Sequence, residues 1–270
     1  MQNRLVTSSA AARLSASVGA FRQPGIDGHV PIDAAALAEM IADSAEPGET
    51  LIVGVTGSVA AGKTALCASI ASYLRSTLHV ETISTDGFLM PNLVLEKLGL
   101  SLRKGFPETY DTALMSGTLQ RVRLGAVRVP GYCHKLYDRA SELDRTINRP
   151  DVVLVEGLGL SSGHAQRIPS ALVDVLIYID ASEQDLETWF VRRFMGFLRE
   201  AEANPDSFYN RFRTMAEPDA EKFAHAVWAG INLPNLRDHI APARDQADIV
   251  LRKTLDHTLH LQRTTRAAAN

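Results

Sequence analysis

The chain has 270 residues, 46% of them hydrophobic and 22% charged, with 28 Lys and Arg against 31 Asp and Glu for a formal net charge of −3. These values belong to an ordinary folded domain. They exclude collagen-like, coiled-coil and wholly disordered chains, and they lack the basic excess with which nucleic-acid binders release counterions.

Residues 1–30 carry no sustained period and read as a flexible arm. They lack the apolar stretch of a secretory signal, although Arg4, Arg13 and Arg22 among Ser and Ala, with no acidic residue before Asp27, have a transit-peptide composition. The main folded unit is expected over 31–262, with 263–270 as a frayed tail. Asp33 can cap a short helix through Ile41, in which Ile32, Leu37, Met40 and Ile41 share a face before Pro47-Gly48 stops it. From Leu51 onward the pattern is that of a parallel sheet, with short apolar runs at 51–55, 152–155, 175–179 and 249–251 and a weaker one at 80–83. Helical periods at 63–74, 114–124, 183–202 and 220–229 separate them. Strands alternating with helices predict right-handed crossovers and a three-layer α/β domain with a mainly parallel sheet.

Cys67 and Cys133 stand outside any CxxC or Cys/His zinc spacing, so the expected compartment is reducing and cytoplasmic. No apolar run approaches the roughly 20 residues needed to cross a bilayer, and no membrane partner is expected.

The strongest local signal is Gly57-Ser58-Val59-Ala60-Ala61-Gly62-Lys63-Thr64, which fits GxxxxGK[ST] between an apolar strand and a helix. Its glycines allow a loop whose N–H groups converge on phosphate oxygens, backed by a helix N-terminus. Lys63 would reach the β and γ phosphates, and Thr64 would put its hydroxyl on Mg²⁺. Two acids should emerge at the same sheet edge: Glu156 after the apolar run 152–155, and Asp86 after the run 80–83, where it could equally be a helix cap or turn residue. Arg192 and Arg193 fall on the helix 183–202, where an arginine could neutralise the transferred phosphoryl group or simply face solvent.

Over residues 51–257 the chain resembles the prokaryotic, type I pantothenate kinases. The resemblance rests on the phosphate loop, Thr85-Asp86-Gly87-Phe88-Leu89, Lys104-Gly105-Phe106-Pro107-Glu108, Tyr132 with His134, Glu156-Gly157-Leu158, Trp189 with Arg193-Phe194, Ile231-Asn232-Leu233, and Lys253 with His257. It implies ATP-dependent phosphorylation of pantothenate to 4′-phosphopantothenate, the first step toward coenzyme A. It also implies a P-loop kinase fold with an irregular substrate lobe from 88–138 and 190–235. By resemblance, Asp86 is the general base, Lys63 and Arg193 stabilise phosphate, and Thr64 with Glu156 serves the metal. Tyr132, His134, Phe190 and Asn232 match pantothenate-pocket positions, whereas Lys253 and His257 match positions beside adenine. Read alone, Tyr132 could be core, His134 a loop residue and Asn232 a turn cap. A homodimer is a family expectation.

Four positions depart from the family pattern. Phe190 and Phe208 stand where tyrosines are usual, so a hydroxyl is missing from the pocket. Ala68 stands where an arginine often holds the phosphates of inhibitory coenzyme A, which predicts weakened feedback. Gly159 replaces an asparagine, and the stretch 161–170 is shorter than usual. Rival readings are a uridine kinase or phosphoribulokinase relative acting on a nucleoside or sugar, and a non-catalytic nucleotide sensor.

Overall fold

The computed structural model describes residue 13 and residues 30–160, 172–204 and 206–264. The expected arm apart from Arg13 and Val30, the shortened stretch 161–170 and most of the expected tail lie outside the described residues.

Seven strands form one sheet. They are β1 (Val30–Pro31), β2 (Leu51–Gly57), β3 (Val80–Ser84), β8 (Val152–Glu156), β9 (Val175–Asp180), β10 (Ile249–Lys253) and β11 (Leu259–Thr264), in the order β1-β11-β10-β9-β2-β8-β3. The pairs from β10 through β3 are parallel, and β11 and β1 add an antiparallel edge. Two hairpin pairs complete the strands: β4 (Ala126–Val129) with β7 (Arg145–Asn148), and β5 (Tyr132–Cys133) with β6 (Asp138–Arg139). Every residue of β2 and β8 is buried, as expected when both faces of a parallel sheet are covered. Ile52, Val53, Leu154, Val155 and Ile177 are at its centre, each stabilising the fold by about 1.5–3 kcal/mol through burial.

The helices follow local chemistry. Asp33 caps α1 (Ala34–Ser44) by accepting from Ala36 N, and Leu37, Met40 and Ile41 turn inward against α2 (Lys63–Leu74). After the short α3 (Asn92–Lys97), α4 (Thr112–Val122) begins two residues before the sequence expectation because Asp111 accepts from Leu114 N. The long α5 (Glu183–Glu202) has the predicted bounds and a Ser182 cap. Next, α6 (Glu217–Val227) begins earlier than predicted, with Pro218 in its first turn, and continues as a π-helical turn over Trp228–Asn232. Sequence periodicity did not reveal β11, β1 or the hairpins.

At the N-terminal edge of the parallel strands, three aspartates each fasten a strand entrance to its neighbour. Asp151 accepts from His79 N, Asp174 from Ile52 N and Asp248 from Leu176 N, all at 2.8 Å. Asp174 also pairs with Arg123, whose guanidinium reaches the Thr50 carbonyl at 2.7 Å. The opposite, C-terminal edge carries the phosphate loop. There β2 lies between β8 and β9, and its crossover runs over β8 to β3, so the strand order reverses beside Gly57 and a crevice opens.

Candidate active site

From the end of β2 the chain turns through three positive φ angles, at Gly57 (143°), Ala60 (63°) and Gly62 (91°). Close approach adds to the constraint at Gly57, where a Cβ would lie 2.6 Å from the Ile179 carbonyl oxygen; at Gly62 the φ itself favours glycine, and a Cβ would meet only the movable end of Lys253 at 2.6 Å. Gly62 is the N-cap of α2 and supplies no capping side chain, so the first-turn N–H groups stay available to an anion. Ser58 beside them is buried, and its Oγ has no partner among the described residues. Val59 and Ala60 are half-buried, Ala61 is buried, and Thr64 is exposed at the helix start. Lys63 is buried, and its ammonium donates to the carbonyls of Gly57 at 3.2 Å and Ser58 at 2.8 Å. Burial pulls the Lys63 pKa below its ordinary value. Glu156 and Asp86 oppose that shift, whereas Arg193 adds to it. These four groups therefore share one electrostatic field, although they come from four segments of the chain.

Strand register explains the convergence of the acids. Glu156 pairs across the sheet with Val55 on one side and Ser84 on the other, which brings the ends of β2, β8 and β3 level. Asp86 follows in a single 3-10 turn, Thr85–Phe88, half-buried. It is a turn residue; Ser84 is the cap, its Oγ accepting from Asp86 N at 3.3 Å. Glu156 is 8% exposed.

An aromatic wall stands on the other side of Asp86. Tyr132 meets exposed His134 edge-on at 5.1 Å and Tyr137 at 6.3 Å, while Tyr137 stacks on Phe208 at 4.6 Å. Burial, with Asp86 adding to it, raises the pKa of both Tyr132 and Tyr137, so their phenols stay neutral. Lys104 Nζ lies 4.4 Å from the Tyr137 ring centre and 5.2 Å from that of Tyr132, donating to Asn92 Oδ1 at 2.6 Å and to the Tyr137 carbonyl. Burial lowers its pKa to about 8, against the pull of Asp138 and Asp86. Arg193 is exposed on α5, its guanidinium 5.1 Å from the Phe197 ring centre. Phe190 packs 5.9 Å from Trp228 and 6.4 Å from Phe194. Asn232 closes the same π-helical turn as Trp228, with its Nδ2 buried and unpartnered among the described residues. It makes no capping bond, and the structure links Phe190 with the Trp228 turn rather than with Asp86.

Lys253 ends β10, and His257 belongs to the turn that joins β10 to β11. Lys253 donates to the Ala61 carbonyl at 2.9 Å and lies 4.8 Å from the Trp189 ring centre; the exposed His257 ring is 5.0 Å from Trp189. The turn is drawn tight by Asp256, which accepts from Thr254 Oγ1 at 2.6 Å and Thr258 N at 3.1 Å. Lys104 and Trp189 stand in the sequence motifs quoted above without a role in the site. Their signal was present in those motifs, but nothing local pointed to chemistry.

The model of the phosphoribulokinase/uridine kinase family matches residues 52–195. Proteins named pantothenate kinase match over most of the chain. The one from Leifsonia xyli subsp. xyli is 41% identical over 216 residues, covering 77% of this chain and 67% of its own. Those of Xanthobacter autotrophicus and Streptococcus pneumoniae are 40% and 38% identical, covering 76% and 78% of this chain and 68% and 71% of theirs. The chain belongs to the pantothenate kinases of this P-loop kinase family. The pantothenate kinase fold is shared with more distant solved structures. A Silicibacter sp. TM1040 protein, provisionally assigned as a fructose transport system kinase, superposes with a TM-score of 0.67 at 24% identity, covering 81% of this chain and 98% of its own. A D-glycerate 3-kinase from Cryptococcus neoformans superposes with a TM-score of 0.56 at 14% identity, covering 96% and 97%. Both likenesses concern the fold alone. Among the described residues, no helix is long and apolar enough to cross a membrane.

Proposed function

We infer that this protein transfers the terminal phosphoryl group of ATP to the primary hydroxyl of pantothenate, giving 4′-phosphopantothenate. The observation that carries the mechanism is the strand register that brings Glu156 and the turn of Asp86 level with the phosphate loop and its buried Lys63. Phosphoryl transfer needs little covalent help; positioning and charge neutralisation supply most of the acceleration. In this reading the loop from Gly57 to Thr64 holds the phosphates, and Lys63 moves from the Gly57 and Ser58 carbonyls onto phosphate oxygens. Asp86 orients the acceptor hydroxyl and takes its proton late in the transfer. Arg193, free on its exposed face to swing toward Lys63, neutralises charge on the moving group.

Among the described residues no group of three or more His, Cys, Asp or Glu could hold a metal ion by itself. One buried carboxylate, Glu156, and one hydroxyl, Thr64, suit a magnesium ion that keeps water and phosphate as its other ligands. Such an ion, when bound, supplies charge neutralisation for the β and γ phosphates. Tyr132, His134 and Asn232 line the pantothenate side, while His257 and Lys253 face the base. Phe190 and Phe208 lack hydroxyls, which costs about 0.5–1.5 kcal/mol per missing net hydrogen bond, roughly 2- to 12-fold in affinity. That loss weakens pantothenate binding without changing the reaction. Ala68, exposed on α2 one turn past Thr64, offers no cation to coenzyme A, so feedback by that product is weak. The same reading includes a homodimer, which sedimentation at micromolar concentration checks.

The test is product formation by mass spectrometry from Mg-ATP and pantothenate, with uridine and simple sugars as competing acceptors. The expected result is 4′-phosphopantothenate. Transfer to uridine or a sugar with none to pantothenate would overturn this reading.

A further inference from the structure

The aromatic wall does not end at Phe208. Lys104 Nζ lies 4.4 Å from the Tyr137 ring centre, Tyr137 stacks on Phe208 at 4.6 Å, and the Arg211 guanidinium lies over the Phe208 ring at 3.9 Å. A cation thus meets each ring of the stacked pair. The outer cation is held by its own turn, since Arg211 Nε donates to the Phe208 carbonyl at 3.2 Å. That turn is tied in its own right to the loop between β5 and β6, where Phe208 N donates to the Lys135 carbonyl at 2.7 Å.

Arg211 also borders a depression of about 640 Å³ that Asn92, Phe208 and Arg213 help to line. Asn92 and Phe208 belong to the acceptor wall as well: Asn92 Nδ2 donates to the Tyr137 carbonyl at 3.0 Å, and its Oδ1 accepts from Lys104 at 2.6 Å. The depression therefore adjoins the acceptor side through residues the two share. Its charge is unbalanced. Arg211 and Arg213 outnumber its one acid, Asp206, and no carboxylate pairs with either arginine among the described residues.

The two cations along the stack differ in what they can still bind. The Lys104 ammonium already donates to Asn92 and to the Tyr137 carbonyl. Arg211 uses only Nε on the protein, which leaves both Nη groups for a ligand. A guanidinium is a planar fork that matches a carboxylate in two parallel hydrogen bonds, and an ammonium is not. Pantothenate carries its carboxylate at the end of the molecule away from its primary hydroxyl.

We propose that Arg211 selects for an anionic acceptor: with the primary hydroxyl at Asp86, the carboxylate at the far end of pantothenate lies on the Arg211 guanidinium in this depression. The inference deepens the proposed function and rests on it.

The experiment compares pantothenate with its primary amide, which keeps the hydroxyl and removes the charge, in steady-state kinetics of the full chain with Mg-ATP. The wild type should prefer the acid. Arg211→Gln should lower kcat/KM for pantothenate roughly 10- to 100-fold through KM, the usual worth of a hydrogen bond to a charged group, with kcat and the KM for ATP within about twofold. For the amide, kcat/KM should stay within about twofold, so the preference for the acid disappears. Arg211→Lys, which keeps the charge without the fork, should lose an intermediate factor. Equal losses for acid and amide would make Arg211 a support for Phe208 alone and overturn the inference. An unchanged kcat/KM for pantothenate in Arg211→Gln, or a wild type that uses acid and amide equally, would overturn it too while leaving the function standing. A wild-type protein that makes no 4′-phosphopantothenate would overturn both.

Discussion

Lys253 Nζ donates to the Ala61 carbonyl at 2.9 Å, so the last residue of β10 fastens the phosphate loop from outside. The same nitrogen lies where a Gly62 side chain would begin. One ammonium group therefore ties the phosphate loop to the strand end beside Trp189. Lys253→Met removes a charge-assisted bond worth about 1.5–3 kcal/mol, and should raise the KM for ATP by roughly tenfold or more. The KM for pantothenate should stay near its wild-type value, as steady-state kinetics with each substrate varied in turn will show.

Asp86→Asn keeps the shape of the turn and removes the proton acceptor. Turnover should fall about 10²- to 10⁴-fold, the usual worth of general-base assistance, while calorimetry still finds ATP bound at near wild-type affinity. Undiminished turnover would remove Asp86 from the mechanism.

Lys104 gives the acceptor side a pH limit. Burial lowers its pKa from 10.5 to about 8, so the ammonium beside Asp86 loses its proton as pH rises through 8. The expected profile is a fall in kcat/KM for pantothenate, an anionic substrate, above about pH 8, absent in Lys104→Gln. The stability effect has the opposite sign. Between about pH 8 and 10.5 the unfolded chain holds this proton and the folded one does not, so this group makes stability rise with pH across that window. Urea titrations of wild type and Lys104→Gln at pH 7.5 and 9.5 separate the two effects.

Asp174 is 4% exposed at its side chain, paired with Arg123 at 2.9 Å while accepting from Ile52 N. Asp174→Ala leaves one sheet N–H without its acceptor and takes the counter-charge from a guanidinium that keeps only the Thr50 and Leu172 carbonyls. It should destabilise the fold by about 3–5 kcal/mol, measured by urea denaturation, with the KM values of the surviving folded enzyme unchanged.

Ala68→Arg supplies the cation that the coenzyme A reading lacks. Inhibition by coenzyme A, competitive with ATP, should strengthen by roughly tenfold or more, the worth of one charge-assisted hydrogen bond. Potent inhibition of the unaltered protein would contradict the weak-feedback reading.

The sequence was most informative where structure is local. The bounds of α2 and α5 follow from a motif and a helical period, and the five parallel strands follow from apolar runs that burial on both faces requires. β11 escaped because only Leu259 and Leu261 mark it, and its strand character comes from pairing with β10 and β1. The start of α6 was misplaced because Pro218, a residue that breaks helix interiors, is tolerated in a first turn. Within the site, the phosphate loop was legible from spacing alone. The Leu89–Tyr110 bridge, which ties the backbone after Asp86 to a residue 21 positions on, has no periodicity to announce it.

The aspartates Asp151, Asp174 and Asp248 sit at the pole of the sheet opposite the phosphate loop. Endurance and reactivity are thereby lodged at opposite ends of the same strands. A protein engineer could retune the lower pole for heat tolerance while the upper one kept its chemistry, and evolutionary drift in acceptor preference could proceed without loosening the foundation.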